Sequence, residues 1–458
     1  MAYSAPKGAN DLLPDAMYVW TRAIQEAAGV FGRFGYQMVE TPIFEQTEVF
    51  TRGIGEATDV VGKEMFTVRS GEMYRRALEA GSDAPLKADQ KLSLRPEGTA
   101  GWVRAAVQHN VVEPGAAPSK VFYAGPMFRA ENVQKGRLRQ FHQIGAECLG
   151  ATDPTADAEL IIMLMLYFRN MGIPMDKTTL LINSMGDEAC RPAYREKVRQ
   201  FILDHADQMC PECQRRAQTN PLRAFDCKNP DCAKVMENAP RITDHLCPEC
   251  QDHYAKVKSY LDAMGVPYVE DPTLVRGLDY YTRTVFEVQT SFGLGSQSAL
   301  GGGGRYDKLV ETVGGRPTPG LGFALGFERM MLVLDQANAI PIRPSSTDFF
   351  IACVDDSVRD TAFSMLTLMR QAGVSAEMDH QGRSLKSQLK LANKLGANRV
   401  VFLGPDELAQ GKVKVRNMAT HAEALCDLDS ARRILEQFGG RTVGAATGRL
   451  SADTLFAQ

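Results

Sequence analysis

No stretch of this 458-residue sequence is long and apolar enough for a helical membrane span. The longest apolar run, Leu160 to Phe168, is nine residues, against the roughly 20 that a bilayer requires. The N-terminus carries Lys7, Asn10, Asp11 and Pro14 without an apolar core, so no secretory signal is expected. Cysteine is scarce at ten residues, too few for a disulfide scaffold. Strong net charge is also missing. A formal charge of −3 argues against indiscriminate coating of nucleic acid but leaves room for local basic faces. No internal repeat, low-complexity tract, Walker loop or dinucleotide-binding βαβ opening is found. What remains is ordinary globular composition, 44% apolar and 23% charged, which excludes disordered and fibrous chains. At about 150 residues per domain, roughly three domains are expected, and a chain this long needs no disulfide or metal for stability alone. Six cysteines cluster between Cys210 and Cys250, which suggests a metal or redox site in a reducing compartment. A cytoplasmic protein with no membrane attachment is expected.

Met17, Trp20, Ile24, Ala27, Phe31 and Phe34 recur at helical spacing, an amphipathic stripe ended by Gly35. Tyr36 to Glu40 alternates as a strand and stops at Thr41-Pro42. Short β-type runs follow at Lys120 to Ala124, Phe141 to Cys148 and Thr284 to Gln289, with a helix from about Thr155 to Asn170. Strands that succeed one another without regular crossover helices favour an α+β fold on an antiparallel sheet. Residues 187–264 hold the cysteine cluster and short helical stretches without a long strand pattern, and read as an inserted, mainly helical domain. Residues 336–347, with Pro341, Pro344, Ser345 and Ser346, read as a linker. Beyond it, strands at Phe349 to Val354, Arg399 to Leu403 and Lys412 to Asn417 alternate with helices at Val358 to Gln371, Leu385 to Leu395 and Ala431 to Phe438. That alternation predicts a separate α/β domain over residues 348–458.

Three segments carry chemical signals. Phe128-Arg129-Ala-Glu131 runs into Lys135-Gly136-Arg137-Leu-Arg139-Gln-Phe141-His-Gln143, a strand, a glycine-turned loop and a strand. An arginine there can fork onto a phosphate and an aromatic can stack on a base, although an ordinary charged hairpin has the same composition. Leu274 to Thr282, with Arg276, Gly277, Asp279, Tyr280 and Tyr281, reads as a short apolar strand, on the surface or flooring a pocket for a small polar ligand. Gly301 to Gly304 with Arg305, and Gly320 to Gly326 followed by Glu328-Arg329, permit close backbone approach near a strand-to-helix transition.

The order of these segments resembles the three ordered motifs of class II aminoacyl-tRNA synthetases. With Lys7-Gly8…Asp11-Leu-Leu-Pro14, Leu94-Arg-Pro-Glu97-Gly98-Thr99 and Leu274 to Thr282, the sequence resembles the bacterial-type histidyl-tRNA synthetase family over nearly its full length. The Arg-Gly-Leu-Asp-Tyr-Tyr string is the most specific of these matches. The resemblance implies a class II catalytic core in two parts, residues 1–186 and 265–335, with a C-terminal anticodon-binding domain. It also implies ATP-dependent ligation of L-histidine to tRNA(His) through a histidyl-adenylate, by a homodimer joined through the helix and strand from Ala16 to Pro42.

By matching motif positions, the resemblance places Arg129 on the ATP α-phosphate, Glu131 near the adenine, Phe141 on its face and Arg329 on the γ-phosphate. It makes Arg276 a second catalytic cation opposite Arg129, and brings Arg137 near ATP and the acceptor end of tRNA. Both guanidiniums stay protonated at any working pH, and Mg²⁺ is expected on the ATP phosphates. Glu97 and Thr99 match positions that receive the α-ammonium of histidine. Gln143 and Arg276 match those near its carboxylate. Glu147 and Tyr281, with Tyr280 beside them, match the imidazole contacts. Two departures are Asn132-Val133, where the family commonly has Arg-Pro, and Lys308, where it usually has glycine.

Within the insertion, Cys210-Pro-Glu-Cys213 and Cys247-Pro-Glu-Cys250 are matching C-x-x-C knuckles. They predict one structural Zn²⁺ on Cys210, Cys213, Cys247 and Cys250, with Cys227 kept for packing and His245 or His253 as substitutes for one ligand. Free thiols in a reducing cytoplasm are the alternative. In the last domain, Lys386, Lys390 and Lys394 recur at helical spacing. Arg383, Arg399, Lys412, Lys414 and Arg416 extend this basic face, either a solvated surface or an RNA contact. A non-catalytic, synthetase-like regulatory subunit of histidine biosynthesis is the rival reading; it usually lacks the last domain and does not need Arg129, Arg276 and Arg329.

Overall fold

The structure is a computed structural model that describes residues 3–55, 58–79, 91–113, 115–294, 298–342 and 347–428. The expected helix at Ala431 to Phe438, and Pro344, Ser345 and Ser346 of the linker, lie outside the described residues. Two compact units meet at Pro341–Ile342.

In chain order the first unit has strands β1 (Gln37–Met38), β2 (Phe44–Gln46), β3 (Thr67–Val68), β4 (Leu92–Leu94), β5 (Ser119–Phe128), β6 (Gln140–Leu149), β7 (Thr179–Ser184), β8 (Val269–Glu270), β9 (Thr282–Gln289), β10 (Ala299–Arg305) and β11 (Gly320–Gly326). Its main sheet runs β1-β5-β6-β11-β10-β9-β7-β8, with a small β2-β4-β3 sheet beside it. All pairs from β5 to β7 are antiparallel, and only the edge strands β1 and β8 pair in parallel. The fold is therefore α+β on an antiparallel sheet, as the succession of strands without crossovers implies.

Side chains alternate between the faces of a strand, and register aligns that alternation across the sheet. Phe122, Ile144, Ala146, Phe323, Leu325 and Phe286 point to one side and are buried in the main core. The helix Pro14–Arg33 covers this side with Val19, Trp20, Ala23, Ala27, Val30 and Phe31. Its ends suit its dipole, with Pro14 and Asp15 in the first turn and Arg33 in the last. Met17 of the expected stripe is exposed, and the strand after the helix is shortened to β1. The helix Pro154–Met171 packs into the same core, started by the Asp153 carboxylate on the Thr155 N–H at 2.9 Å and stopped by left-handed Gly172.

After β7 the chain enters the helices Arg191–Asp204, Pro211–Thr219, Pro230–Met236 and Pro248–Ala263, then returns to the sheet as β8. The first three bury Val198, Ile202, Cys213, Cys232 and Met236 in a second cluster, which they share with Trp102 and with Val121, Leu149 and Val285 of the main sheet. The fourth sends Tyr254, Val257 and Leu261 into the main core beneath the sheet. The helical stretch thus ends on an element that also belongs to the sheet's packing.

One local expectation is corrected. Leu274 to Val275 and the residues through Tyr281 form turns rather than a strand, and β9 begins at Thr282. Side chains and loop backbone serve this segment where a neighbouring strand would have done. Arg191 donates to the Tyr281 carbonyl at 2.6 Å and Asp279 N–H meets the Ile54 carbonyl at 3.1 Å.

The second unit has strands β12 (Phe349–Cys353), β13 (Ala376–Met378), β14 (Arg399–Leu403), β15 (Lys412–Asn417) and β16 (Glu423–Asp427) in the order β13-β12-β14-β15-β16. The first three are mutually parallel and the last two antiparallel. Helices Arg359–Gln371 and Leu385–Lys394 supply buried residues for its two apolar clusters. β13 and β16 were not read from sequence, being short or exposed.

Candidate active site

The face of the main sheet opposite the apolar core carries the chemistry. Register places Phe141, Gln143, Gly145 and Glu147 of β6 on this face. They lie beside Tyr123 and Gly125 of β5, Gly322 and Gly326 of β11, Gly302 and Gly304 of β10, and Glu287 of β9. The glycines are where the site needs room. A Cβ on Gly322 would lie 1.7 Å from Glu147 Oε2, and one on Gly145 would lie 2.4 Å from the Tyr123 ring. Side chains that rise from neighbouring strands thus lean across a floor without side chains of its own.

Glu147 is fully buried at the centre. Thr99 Oγ1 donates to its Oε1 at 2.7 Å, Tyr123 donates to the same oxygen at 3.0 Å, and Tyr306 donates a short bond to Oε2. Burial, opposed by these hydroxyls, pushes the Glu147 carboxyl up to about 8. Glu97 sits at the start of the helix Thr99–Gln108, where its two oxygens accept the Thr99 and Ala100 N–H groups at 2.7 and 2.8 Å. Burial raises its pKa despite those two bonds. Tyr280 and Tyr281 stand with ring centroids 4.6 Å apart, and Tyr280 meets Tyr306 edge-on at 5.5 Å. Tyr281 is also raised by burial, and the charges of both Glu97 and Glu147 reach it.

The cations gather toward the other end of the strands. Arg129 stacks over the Phe141 ring at 5.2 Å and donates to the Pro96 carbonyl at 3.0 Å. Arg137 pairs with Glu131 across the hairpin at 3.2 Å. Arg329 donates to the Gly136 and Ala299 carbonyls at 3.0 and 2.9 Å. Burial lowers the Arg329 pKa first, and the nearby charges of Arg137 and Arg129 lower it further. Three guanidiniums that repel one another on one patch are suited to a polyanion that neutralises them. Arg276 is held by a short ion pair with Glu287 and lies over the Tyr281 ring at 5.8 Å. Burial opposes its charge, but Glu287 together with Tyr281 and Tyr280 outweighs that and raises its pKa. Arg276 Nε and Gln143 Oε1 are buried without a hydrogen-bond partner among the described residues. Orphaned polar atoms over a glycine floor mark a ligand position.

All twelve expected substrate-contacting residues lie on this face, its hairpin or the flanking helix and loop. Sequence reasoning missed Tyr123, Tyr306 and Glu287. Tyr306 closes the Gly301 to Tyr306 run, and its proximity to the glycines was the available signal; Tyr123 and Glu287 sit in plain strands that offered none. The departures are also placed. Val133 packs against Gly8, whose carbonyl receives the Arg139 and Gln140 N–H groups, while Lys308 bridges Glu188 and Glu311 at 3.2 and 3.4 Å.

The expected grouping of the cysteines is overturned. Cys210 and Cys213 converge with Cys227 and Cys232, whereas Cys247 and Cys250 converge with Cys190 and Asp187. The two knuckles start different helices, Pro211–Thr219 and Pro248–Ala263. Cys227 is a member of the first group rather than a packing residue. His253 is no substitute ligand, being buried 3.3 Å from Asp157, and His245 stands against Lys197 and Tyr194.

The family model described as Histidyl-tRNA synthetase matches residues 8–330, and that described as Anticodon binding domain matches residues 348–437. A histidine–tRNA ligase from Halothermothrix orenii is 42% identical over 421 residues, 92% of this chain and 96% of that protein. One from Anaeromyxobacter dehalogenans is 44% identical over 423 residues, covering 92% and 97%. The crystal structure of the apo S. aureus histidyl-tRNA synthetase superposes with a TM-score of 0.77 at 34% identity, covering 96% of this chain and all of that one. With more than half its length matched by the family model and relatives identical at over 40% across nine-tenths of it, the chain belongs to the histidyl-tRNA synthetase family.

Proposed function

We propose that this site joins L-histidine to ATP and passes the histidyl group to tRNA(His). The chain is a histidine–tRNA ligase: the histidine carboxylate attacks the α-phosphorus, pyrophosphate leaves, and the terminal ribose of the tRNA then displaces AMP. The observation that carries this reading is the pairing of a buried carboxylate ringed by hydroxyls, Glu147, with a crowd of guanidiniums on the same sheet face.

In this reading Glu147 and Tyr281 recognise the two imidazole nitrogens, with Tyr280 behind them. Glu97 and Thr99 receive the α-ammonium, and Gln143 and Arg276 lie by the carboxylate, with the unpaired Arg276 Nε–H free to donate to it. An analogue lacking either ring nitrogen would leave a buried polar group unpaired, which discriminates strongly. Phe141 stacks on adenine with Glu131 at its edge, Arg129 and Arg276 clamp the α-phosphate, and Arg329 with Arg137 takes the outer phosphates. Charge neutralisation of this kind is the main task in phosphoryl chemistry. Mg²⁺ would arrive with the ATP phosphates and neutralise them further; Glu131 and Glu287 on this face are already paired with arginines.

Exposed Leu13, Met17, Met38, Ile43 and Phe44 line the first helix and the strands that follow it, an apolar surface suited to the homodimer interface. In the second unit, Lys386, Lys390 and Lys394 are exposed along one helix, with Arg383 just before it. Register turns Lys412, Lys414 and Arg416 to the sheet face this helix covers, while Arg399 turns to the other face with Phe349. The helix side is the face we assign to the anticodon stem. Glu423 pairs with both Lys414 and Arg416, so the helix carries more of the uncompensated charge. Among the described residues, no helix is long and apolar enough to cross a membrane. None of the ten cysteines is in a disulfide, which suits a reducing cytoplasm.

ATP–pyrophosphate exchange measured separately with each of the twenty amino acids tests the reading. Exchange should depend on histidine alone. A regulatory subunit would show none with any amino acid, and exchange with another amino acid would end the proposed specificity.

A further inference from the structure

We infer that the helical insertion holds two metal ions in two tetrahedral, sulfur-rich sites of the kind zinc fills. One is formed by Cys210, Cys213, Cys227 and Cys232, the other by Cys190, Cys247 and Cys250 with the carboxylate of Asp187. The inference stands on the geometry of these residues and is independent of the histidine reaction.

Spacing is the first argument. Within each group every potential ligand atom lies within 4.8 Å of the others. The Sγ atoms of Cys210 and Cys227 are 3.8 Å apart, and those of Cys190 and Cys250 are 3.9 Å apart. Sulfurs bound at about 2.3 Å to a tetrahedral zinc stand about 3.8 Å from one another, whereas a disulfide would need about 2.05 Å. The thiols are placed for an ion and not for a bond between them.

Local chain geometry is the second. Cys210-Pro-Glu-Cys213 and Cys247-Pro-Glu-Cys250 each place one cysteine just before a helix and the other in its first turn, with proline at the first helical position. Both sulfurs of each knuckle so face one point. Cys227 and Cys232 close the first site from a second knuckle with a four-residue gap, and the Cys210 N–H points at the Cys232 sulfur at 3.1 Å. Cys213 and Cys232 are fully buried, and the helices around them are short.

In the second site one Asp187 oxygen lies 3.5 Å from the Cys190 sulfur and 3.7 Å from that of Cys247. Its other oxygen accepts from Arg283 at 3.3 Å, which orients the ligand as outer partners commonly do. This site ties residues 187–190, where the chain leaves β7, to the start of the returning helix. Arg283 follows Tyr281 by two residues, and Arg191 holds the Tyr281 carbonyl. The second ion would therefore brace the loop that carries Arg276 to Tyr281.

The test is a metal count on the full chain purified without chelator or added metal, by mass spectrometry. Two zinc equivalents per chain are expected, both released by a thiol-reactive mercurial and scored with a colorimetric zinc indicator. Cys232→Ser and Cys190→Ser should each lower the count to about one, while Cys353→Ser, a buried cysteine of the other unit, should leave it at two. One equivalent or none in folded wild-type protein overturns the inference, and so does a Cys232→Ser chain that still holds two. Because the wild-type count and mercurial release need no substitution, a variant that fails to fold leaves the test decisive.

Discussion

The two faces of the main sheet are built from alternate residues of the same strands, yet they serve opposite ends. On one face Ile144, Ala146, Phe323, Leu325 and Phe286 pack against helices and exclude water. On the other, Gly145, Gly302, Gly304 and Gly322 keep the floor bare so that Glu147, Tyr123, Tyr306 and Arg276 can lean over it. A strand's two-residue period writes both at once. The apolar face should therefore answer for stability, and the glycine face for binding and chemistry.

The strongest way to break that contrast is at Arg276. Arg276→Ala should lower histidine-dependent pyrophosphate exchange by roughly 10²–10³-fold, the scale for losing one preorganised charge donor, with a thermal midpoint close to wild type. Near-normal exchange in the folded variant would remove Arg276 from the chemistry. Next come paired substitutions on neighbouring strands of the sheet, one on each face. Gly322→Ala drives a Cβ into Glu147 and should cost on the order of 10²-fold in kcat/KM for histidine, as misplacement by about 1 Å can. Ile144→Ala, fully buried on the apolar face, should instead cost about 2–5 kcal/mol in urea unfolding and leave KM for histidine nearly unchanged. If the two variants exchanged phenotypes, the division of labour between the faces would be wrong.

A smaller effect sharpens the comparison through pH. Burial holds the Glu147 carboxyl at about 8 against 4.5 for an ordinary glutamate. Between those values the folded chain keeps a proton that the unfolded chain releases, so native stability falls as pH rises from about 5 to 8 and levels off above. Glu147→Gln should flatten that part of the urea-midpoint profile. An unchanged slope would mean that Glu147 is not the group that titrates. The least change is expected in the second unit, where replacing one of Lys386, Lys390 or Lys394 with glutamine should lower the slope of log affinity for tRNA against log salt by about 0.7. No change for any of the three would take this helix out of the RNA interface.

The sequence was most legible where function and periodicity coincide. The stripe from Trp20 to Phe31 and the strand at Phe141 to Cys148 follow from hydrophobic spacing, and both are in place. The arginine hairpin and the Arg276 to Tyr281 string are recognisable because several residue types must occur in order. Residues whose importance comes only from register were invisible: Tyr123 and Glu287 face the site because β5 pairs with β6 and β10 with β9. Treating Arg276 to Tyr281 as a strand failed because Arg191, far along the chain, supplies hydrogen bonds that a neighbouring strand would have given. The cysteine grouping failed for a related reason. Matching knuckles suggest mutual partners, but each converges with nearer or less conspicuous residues, Cys227 and Cys232 for one and Asp187 and Cys190 for the other.

A crystal structure with histidine and a non-hydrolysable ATP analogue tests the account most directly. The imidazole should lie between Glu147 and Tyr281, with the α-phosphate between the guanidiniums of Arg129 and Arg276. Ligands bound elsewhere, with the glycine floor left to solvent, would contradict it.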